Sequence, residues 1–268
     1  MEGSGPRLRR LSGFEIQWRV VNALVYRELR RRVGDAQGGF LAVLLEPIGQ
    51  IAVWAALRII VSGATSVNNL NIILFLAPGV ILFNLYSRVA SHGLTTMEAN
   101  KALFFYRRVK PIDTVLAKAI EELGLYACAA IVVFGVVWAY LYSLVLRDLP
   151  LLVMAFVVMT LLAVATSLLS LVGSYYFPNL KQVLSWLNRA MYLASGVIIS
   201  PMQLPQFVRD LLVYNPLLQC IELARQALSI DYQIPAQVTL GYPAGFALIY
   251  LSLALWCYTN NEKVLIRR

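Results

Sequence analysis

Leu149–Phe177 reads LPLLVMAFVVMTLLAVATSLLSLVGSYYF, twenty-nine residues without one Asp, Glu, Lys or Arg. At the 1.5 Å rise of a helix, about 20 apolar residues cross the hydrocarbon of a bilayer. A run of this length predicts a membrane span. Working outward, five more stretches qualify: Phe40 to Val61, Ile72 to Leu94, Val115 to Leu146, Val183 to Ser200 and Leu240 to Thr259. Composition agrees, with 59% hydrophobic and 14% charged residues and a mean hydropathy of +0.68, far from soluble-domain usage. The expected fold class is all-α, a polytopic membrane protein with six transmembrane helices.

Orientation follows from where Lys and Arg fall between the spans. One set of connections holds Arg7, Arg9, Arg10, Arg19, Arg27, Arg30, Arg31, Arg32, Lys101, Arg107, Arg108, Lys110, Lys118, Lys181, Arg189, Lys263, Arg267 and Arg268; the opposite set holds Arg147, Arg209 and Arg225. Eighteen against three puts both termini in the cytoplasm. The net charge of +9 is accounted for by this asymmetry and by attraction to anionic lipid, so no nucleic-acid partner is expected. The arginine-rich stretch before the first span has no apolar h-region or small-residue cleavage site, and no signal peptide is expected.

Much chemistry is excluded. No GxxxxGK[ST] phosphate loop occurs, so any ATP chemistry has to come from another chain. One histidine, His92, is too few for a zinc HExxH site or a Ser-His-Asp triad. Cys128, Cys220 and Cys257 are too scattered for a metal cluster, and no disulfide is expected. Glu121 and Glu122 are adjacent, so on a helix they point about 100° apart and read as an interfacial pair, not an acid/base dyad.

Ionisable residues at membrane depth face protein or water rather than lipid. Glu46, Gln50, Trp54 and Arg58 recur every fourth residue of the first span and stay on one side of it. Asn84, Ser87, Arg88, Ser91 and Thr95 mark the second span in the same way, and Ser185, Asn188, Arg189, Tyr192 and Ser195 the fifth. With Trp54, Trp186 and Tyr192 among them, these stripes read as borders of a wide polar pathway whose aromatic faces can stack on sugar rings; the alternative is helix-to-helix packing. The third and fourth spans, nearly free of charge, are expected to face lipid.

Three further elements stand out. From Ile16 to Val33, Val20, Val21, Leu24, Val25 and Leu29 lie on one side of a helix whose remaining face is mostly charged, a pattern that predicts an interfacial amphipathic helix. Residues 98–111 read as a short cytoplasmic helix, capped at Asn100, carrying Leu103, Phe104, Arg107 and Arg108, and ended by Pro111. Last, 201–237 carries charge between apolar runs: Pro201 and Pro205, a short helix from Gln206 to Tyr214, then a second started by Asn215-Pro216 and bearing Glu222 and Arg225. Neither helix can cross a bilayer. They are expected to form a re-entrant pair over the outer mouth of the pathway, a candidate gate, with Glu222 and Arg225 paired on its wetter face. The chain thus divides into an N-terminal cytoplasmic region, 1–38, and a six-span domain, 39–268.

In this order the pieces resemble the membrane subunits of ATP-binding-cassette polysaccharide exporters, most closely the capsular polysaccharide permeases. The likeness is carried by YRELRRRVG (Tyr26–Gly34) and GFLAVLLEP (Gly39–Pro47), by Asn100, Leu103 and Pro111, and by Ile199-Ser-Pro201, Leu204-Pro205 and Asn215-Pro216 through Glu222 and Arg225. It runs from about residue 16 to 260. Two departures are Ala42, where such permeases often have Trp, and Phe177 to Lys181, where an Arg-Asp pair is frequent.

The resemblance implies a bacterial inner-membrane protein without catalytic residues or a cofactor of its own. Two copies would form a homodimeric canal. Two ATPase subunits, holding ATP and Mg, would dock on 98–111 and near Arg27, Arg30 and Arg31. The cargo would be capsular polysaccharide, lipid-linked, and a periplasmic co-polymerase and an outer-membrane channel would be further partners. Permeases for O-antigen, teichoic acid, drugs or lipids share the fold and are alternatives. An enzyme acting on lipid-linked sugars would need clustered carboxylates or a histidine pair at one membrane face, and a proton- or sodium-coupled carrier would need broken spans in both halves.

Overall fold

Two helices packed side by side, α3 (Ile72–Ala99) and α5 (Leu149–Tyr176), form the centre of a computed structural model that describes residues 13–34, 39–63, 65–100, 109–141, 146–177 and 179–266. Local chemistry starts both. The Asn71 side chain accepts the Ile73 N–H at 2.9 Å, and Asp148 accepts the Leu151 N–H at 3.0 Å with Pro150 in the first turn. Within α5, the hydroxyls of Thr160, Thr166 and Ser170 donate to carbonyls four residues earlier, so these polar groups are satisfied inside the helix. At Gly93 the α3 backbone meets α5: an added Cβ would lie 2.0 Å from the Ser167 carbonyl oxygen. This is small-residue packing of the kind that joins helices where hydrophobicity cannot.

Around this pair stand α2 (Gly39–Ser62) and α4 (Pro111–Leu141), both against α3, and α9 (Gly241–Ile266) against α5. Strands β1 (Ser66–Val67) and β2 (Leu70–Asn71) make a hairpin from α2 into α3, with Asn68 and Asn69 both at positive φ, 47° and 64°, the backbone a two-residue hairpin turn requires. Helix α1 (Gly13–Gly34) lies across the opposite end of the bundle, its Val21 and Leu24 buried with Ala117 of α4.

Among the described residues, five helices are long and apolar enough to cross a membrane: α2, α3, α4, α5 and α9. The stretch expected as the fifth span is built differently. Helix α6 (Leu180–Ala194) has fifteen residues, about 22 Å at 1.5 Å each, against about 30 Å of hydrocarbon. It ends at a turn with Gly196 in the left-handed region, φ 69°.

Two expectations are corrected here. Helix α5 is mostly core, with Ala155, Met159, Ala163, Ala165, Leu168 and Leu171 wholly buried, and keeps an outward strip through Leu149, Val153, Met154 and Val157. A charge-free apolar run has the same composition against lipid or protein, which is why the two cases look alike. Helix α4 does keep an outward face, through Ile131, Val136, Trp138 and Tyr140. The second correction concerns the short helices. The pair exists, α7 (Gln206–Leu212) and α8 (Pro216–Leu228), with Asn215 accepting the Leu217 N–H at 3.0 Å. But α8 is no wet surface element: it is wedged against α3, α5 and α9, and only Pro216 and Gln226 escape full burial.

Candidate functional site

The three polar stripes meet. On α2, Glu46 pairs with Arg88 of α3, whose Nε also donates to the Tyr126 hydroxyl at 2.9 Å. Gln50 accepts from Asn84 at 2.9 Å, and Asn188 of α6 donates to Ser91 at 3.2 Å. Trp54 lies 6.4 Å from Tyr192 between ring centroids, and Phe83 meets Tyr192 edge-on at 5.0 Å. At the end of the stripe Arg58 donates to the Ile198 carbonyl and to Gln203 Oε1, at 2.5 and 2.6 Å. The result is a seam of polar and aromatic side chains shared by α2, α3 and α6. Trp186 stands outside it, 68% exposed on the far side of α6, and Ser195 is buried, accepting from Asn215 beneath the start of α8.

At its α1 end the seam opens into a cavity of about 630 Å³ bordered by Ser87, Arg88 and Ser91 of α3, Ser185, Asn188 and Arg189 of α6, and charged groups of α1 and α4. Sequence reading singled out several of these but did not bring to the site Glu28 of α1, Lys118 and Glu122 of α4, and Lys181 of α6, which come from elements far apart in the chain. Arg31 is held by Glu28 at 2.5 Å, Arg88 by Glu46, and Lys118 by Glu121 and Glu122. Lys181 and Arg189 make no ion pair among the described residues. The cavity therefore carries uncompensated positive charge suited to a phosphate or carboxylate. It adjoins a mostly apolar cleft of about 300 Å³ between α3, α5, α6 and α9, the two sharing Ser91, Leu94 and Asn188.

Beneath the cavity, Glu121 and Glu122 diverge on α4 as expected, yet both are reached by the same two cations. Arg32 of α1 lies 3.2 and 2.8 Å from them, Lys118 2.9 and 2.8 Å. Both carboxylates are wholly buried, so α1 is clamped to α4. It also holds both roots of the connection between α3 and α4: Arg27 donates to Asn100 at 2.8 Å and Gln17 to Asp113 at 3.1 Å. Asn100 is buried at the end of α3, while Leu103, Phe104, Arg107 and Arg108 lie outside the described residues. Arg30 is exposed. Replacing Glu121 and Glu122 together by Gln is expected to cost roughly 2 to 3 kcal/mol, because two largely buried cations lose their counter-charge. Faster proteolysis within α1 of the purified protein would report the undocking; unchanged cleavage would mean that the apolar contacts alone hold α1.

At the opposite end of the bundle Arg225 is wholly buried. Its Nε donates to the Phe75 carbonyl at 2.9 Å, Nη1 to Glu222 at 2.5 Å, and Nη2 to the carbonyls of Gly196 and Val197 at 2.8 and 3.0 Å. The guanidinium lies 3.7 Å from the centroid of the Phe75 ring. Tyr232 donates to the second Glu222 oxygen at 3.0 Å. Burial pushes the Glu222 carboxyl up from the usual carboxylate range, and Arg225 and the two hydrogen bonds pull it back. Gly79 makes the space: a Cβ there would sit 3.0 Å from Nη2 and 3.1 Å from Val197 Cα. The expected exposed pair is thus a buried knot tying α8 to α3 and to the turn after α6. Of the other residues expected at the gate, Pro201 is buried and Pro205 exposed.

Three comparisons bear on this architecture. "Polysialic acid transport protein KpsM" of Escherichia coli is 31% identical over 255 residues, 95% of this chain and 98% of that protein. "Capsule polysaccharide export inner-membrane protein CtrC" of Neisseria meningitidis serogroup A is 25% identical over 253 residues (91% and 92%), and the "inner-membrane protein BexB" of Haemophilus influenzae, of the same capsule-export description, 24% over 252 (92% and 93%). Residues 19–229, taking in α2 through α8 and most of α1, match the ABC-2 type transporter model. The chain belongs to the ABC-2 type transporter membrane family.

Proposed function

We propose that this chain is the membrane subunit of an ATP-driven exporter that moves capsular polysaccharide across the inner membrane. The observation that carries the reading is the aromatic and polar seam of α2, α3 and α6 opening on a cation-rich cavity, in a chain similar over nearly its whole length to capsule-export proteins. The charge asymmetry of the connections makes the α1 end cytoplasmic and the hairpin end periplasmic. On this reading α6 and the turn beyond it supply the sixth crossing, two copies face their α2 and α6 surfaces across a canal, and α7 with α8 roofs its outer mouth. A glycolipid would enter at the cavity, its anionic head group near Lys181 and Arg189 and its chain against the apolar cleft. ATP and Mg belong to a separate ATPase, docked on the connection between α3 and α4 whose roots α1 holds.

Co-purification with the product of a neighbouring gene that carries a Walker loop is the first test. Export from liposomes that lack such a partner would overturn the reading. Phe104→Ala with Arg108→Ala is expected to leave ATPase activity in the complex but reduce export at least tenfold, measured as surface polysaccharide at equal membrane abundance; normal export would remove the docking assignment.

A further inference from the structure

The turn after α6 is held by two arginines of opposite character. Arg225 takes the carbonyls of Gly196 and Val197, is wholly buried, and is balanced by Glu222. Arg58 takes the very next carbonyl, Ile198, and the side chain of Gln203, the latter contact being exposed. Both guanidinium groups lie over the same ring, Phe75, at 3.7 and 5.7 Å from its centroid. Yet Arg58 makes no ion pair among the described residues; its partners are a carbonyl and an amide, both neutral.

Up to Pro201 the turn is anchored in other ways as well: Ile198 packs against the core, Ser200 and Pro201 are buried, and the Ser200 hydroxyl is bonded by Asn68 at 2.9 Å and by Tyr232. Past Pro201, what Arg58 holds is lightly held otherwise: Met202 and Gln203 are exposed, and α7 has no buried residue. A boundary therefore falls after Pro201: a fixed side that continues into α3 and α8, and a side, tied to Arg58 through Gln203, that can leave.

We propose that Arg58 is a specificity-determining latch at the outer end of the pathway, released when an anionic group on the exported glycan, a carboxylate or phosphodiester, takes the guanidinium from Ile198 and Gln203. The bonds to Ile198 and Gln203 have neutral acceptors, whereas a carboxylate or phosphodiester brings a full opposite charge and can take the guanidinium in a bidentate pair, so the exchange favours the anion, and a neutral glycan has nothing to offer in return. The segment 202–212 then swings free while 198–201 and α8 stay. The proposal rests on the export reading for the origin of the anion, but the latch itself is measurable without export.

Hydrogen exchange of the purified complex, in nanodiscs of zwitterionic lipid, reads it directly. Arg58→Gln is expected to raise amide exchange across 202–212 about tenfold, the equivalent of one lost hydrogen bond of about 1.4 kcal/mol, while 216–228 stays as protected as in the native chain. Gln203→Met, which leaves α2 untouched, should raise it in the same segment to a smaller extent. An acidic oligosaccharide should do to the native chain what Arg58→Gln does, and a neutral one of equal length should do nothing. Anionic lipid added without glycan should also do nothing; if it alone frees the segment, the anion comes from the membrane and the glycan assignment is overturned. Unchanged exchange in both variants overturns the latch even where export is intact. A segment that responds to acid in a complex that exports nothing keeps the latch and removes the export reading.

Discussion

Arg225→Met is expected to all but abolish folded protein in the membrane. The substitution leaves Glu222 as a buried charge with only Tyr232 for company and strips the Phe75, Gly196 and Val197 carbonyls of their shared donor. Breaking a buried pair by removing one partner costs about 3 to 5 kcal/mol, a large part of a total stability of about 5 to 15 kcal/mol. Membrane abundance and the melting temperature in detergent are the measurements. The source of the loss is separable, because Arg225→Met combined with Glu222→Leu removes the stranded charge as well. That double variant is expected to recover about 1 to 3 kcal/mol of the deficit but not all of it, since the three carbonyls still lack a donor. A double variant no better than the single one would place the cost in the carbonyls, and a single variant that melts like the native chain would mean that α8 is held by its apolar contacts.

The same knot marks how far the sequence can be read. The start of α8 was legible because a cap is local chemistry: Asn215 and Pro216 act on their own first turn. The burial of Glu222 and Arg225 was not, since an i, i+3 pair has one spacing whether it faces water or protein, and the atoms that receive Arg225 are backbone carbonyls, one of them 150 residues away, which leave no trace in residue type. The polar stripes were visible for the opposite reason: Glu46, Gln50, Trp54 and Arg58 are the wrong residues for lipid, and helical periodicity puts them on one side. What they touch was open: Glu46 and Gln50 pair across to α3, and it is the α3 and α6 stripes that edge the cavity. Hydropathy also carried the run Val183 to Ser200 past its true end, because it does not register that Gly196 breaks the helix. The clamp on α1 escaped for want of any local signal: Arg32 and Glu122 are ninety positions apart and find each other only once α1 crosses α4.

Gly93→Ala is expected to be nearly as damaging as the loss of Arg225, by pure geometry. The added methyl would fall 2.0 Å from the Ser167 carbonyl oxygen, 2.8 Å from its carbon and 3.1 Å from the Leu171 nitrogen, all backbone atoms of α5 that no rotamer change can move. Relief requires α3 and α5 to separate along the interface that carries most of the core, where Ala90, Ala163, Leu168 and Leu171 are buried. Overpacking costs about 1 to 3 kcal/mol where side chains can give way, and more where they cannot, so at least about 3 kcal/mol is expected here. The loss should spread, since α6 and α8 pack on both helices and α9 on α5, and it should lower both the melting temperature and the yield of assembled complex. Gly124→Ala and Gly135→Ala on α4 are the matched controls, for nothing lies within 4 Å of an added Cβ at either position. Both should be neutral or gain up to about 1 kcal/mol from better helix propensity. If Gly93→Ala behaves like those two, the close approach of α3 to α5 is not what holds the bundle together; if all three destabilise alike, the cost lies in α-helical glycine itself and not in this contact.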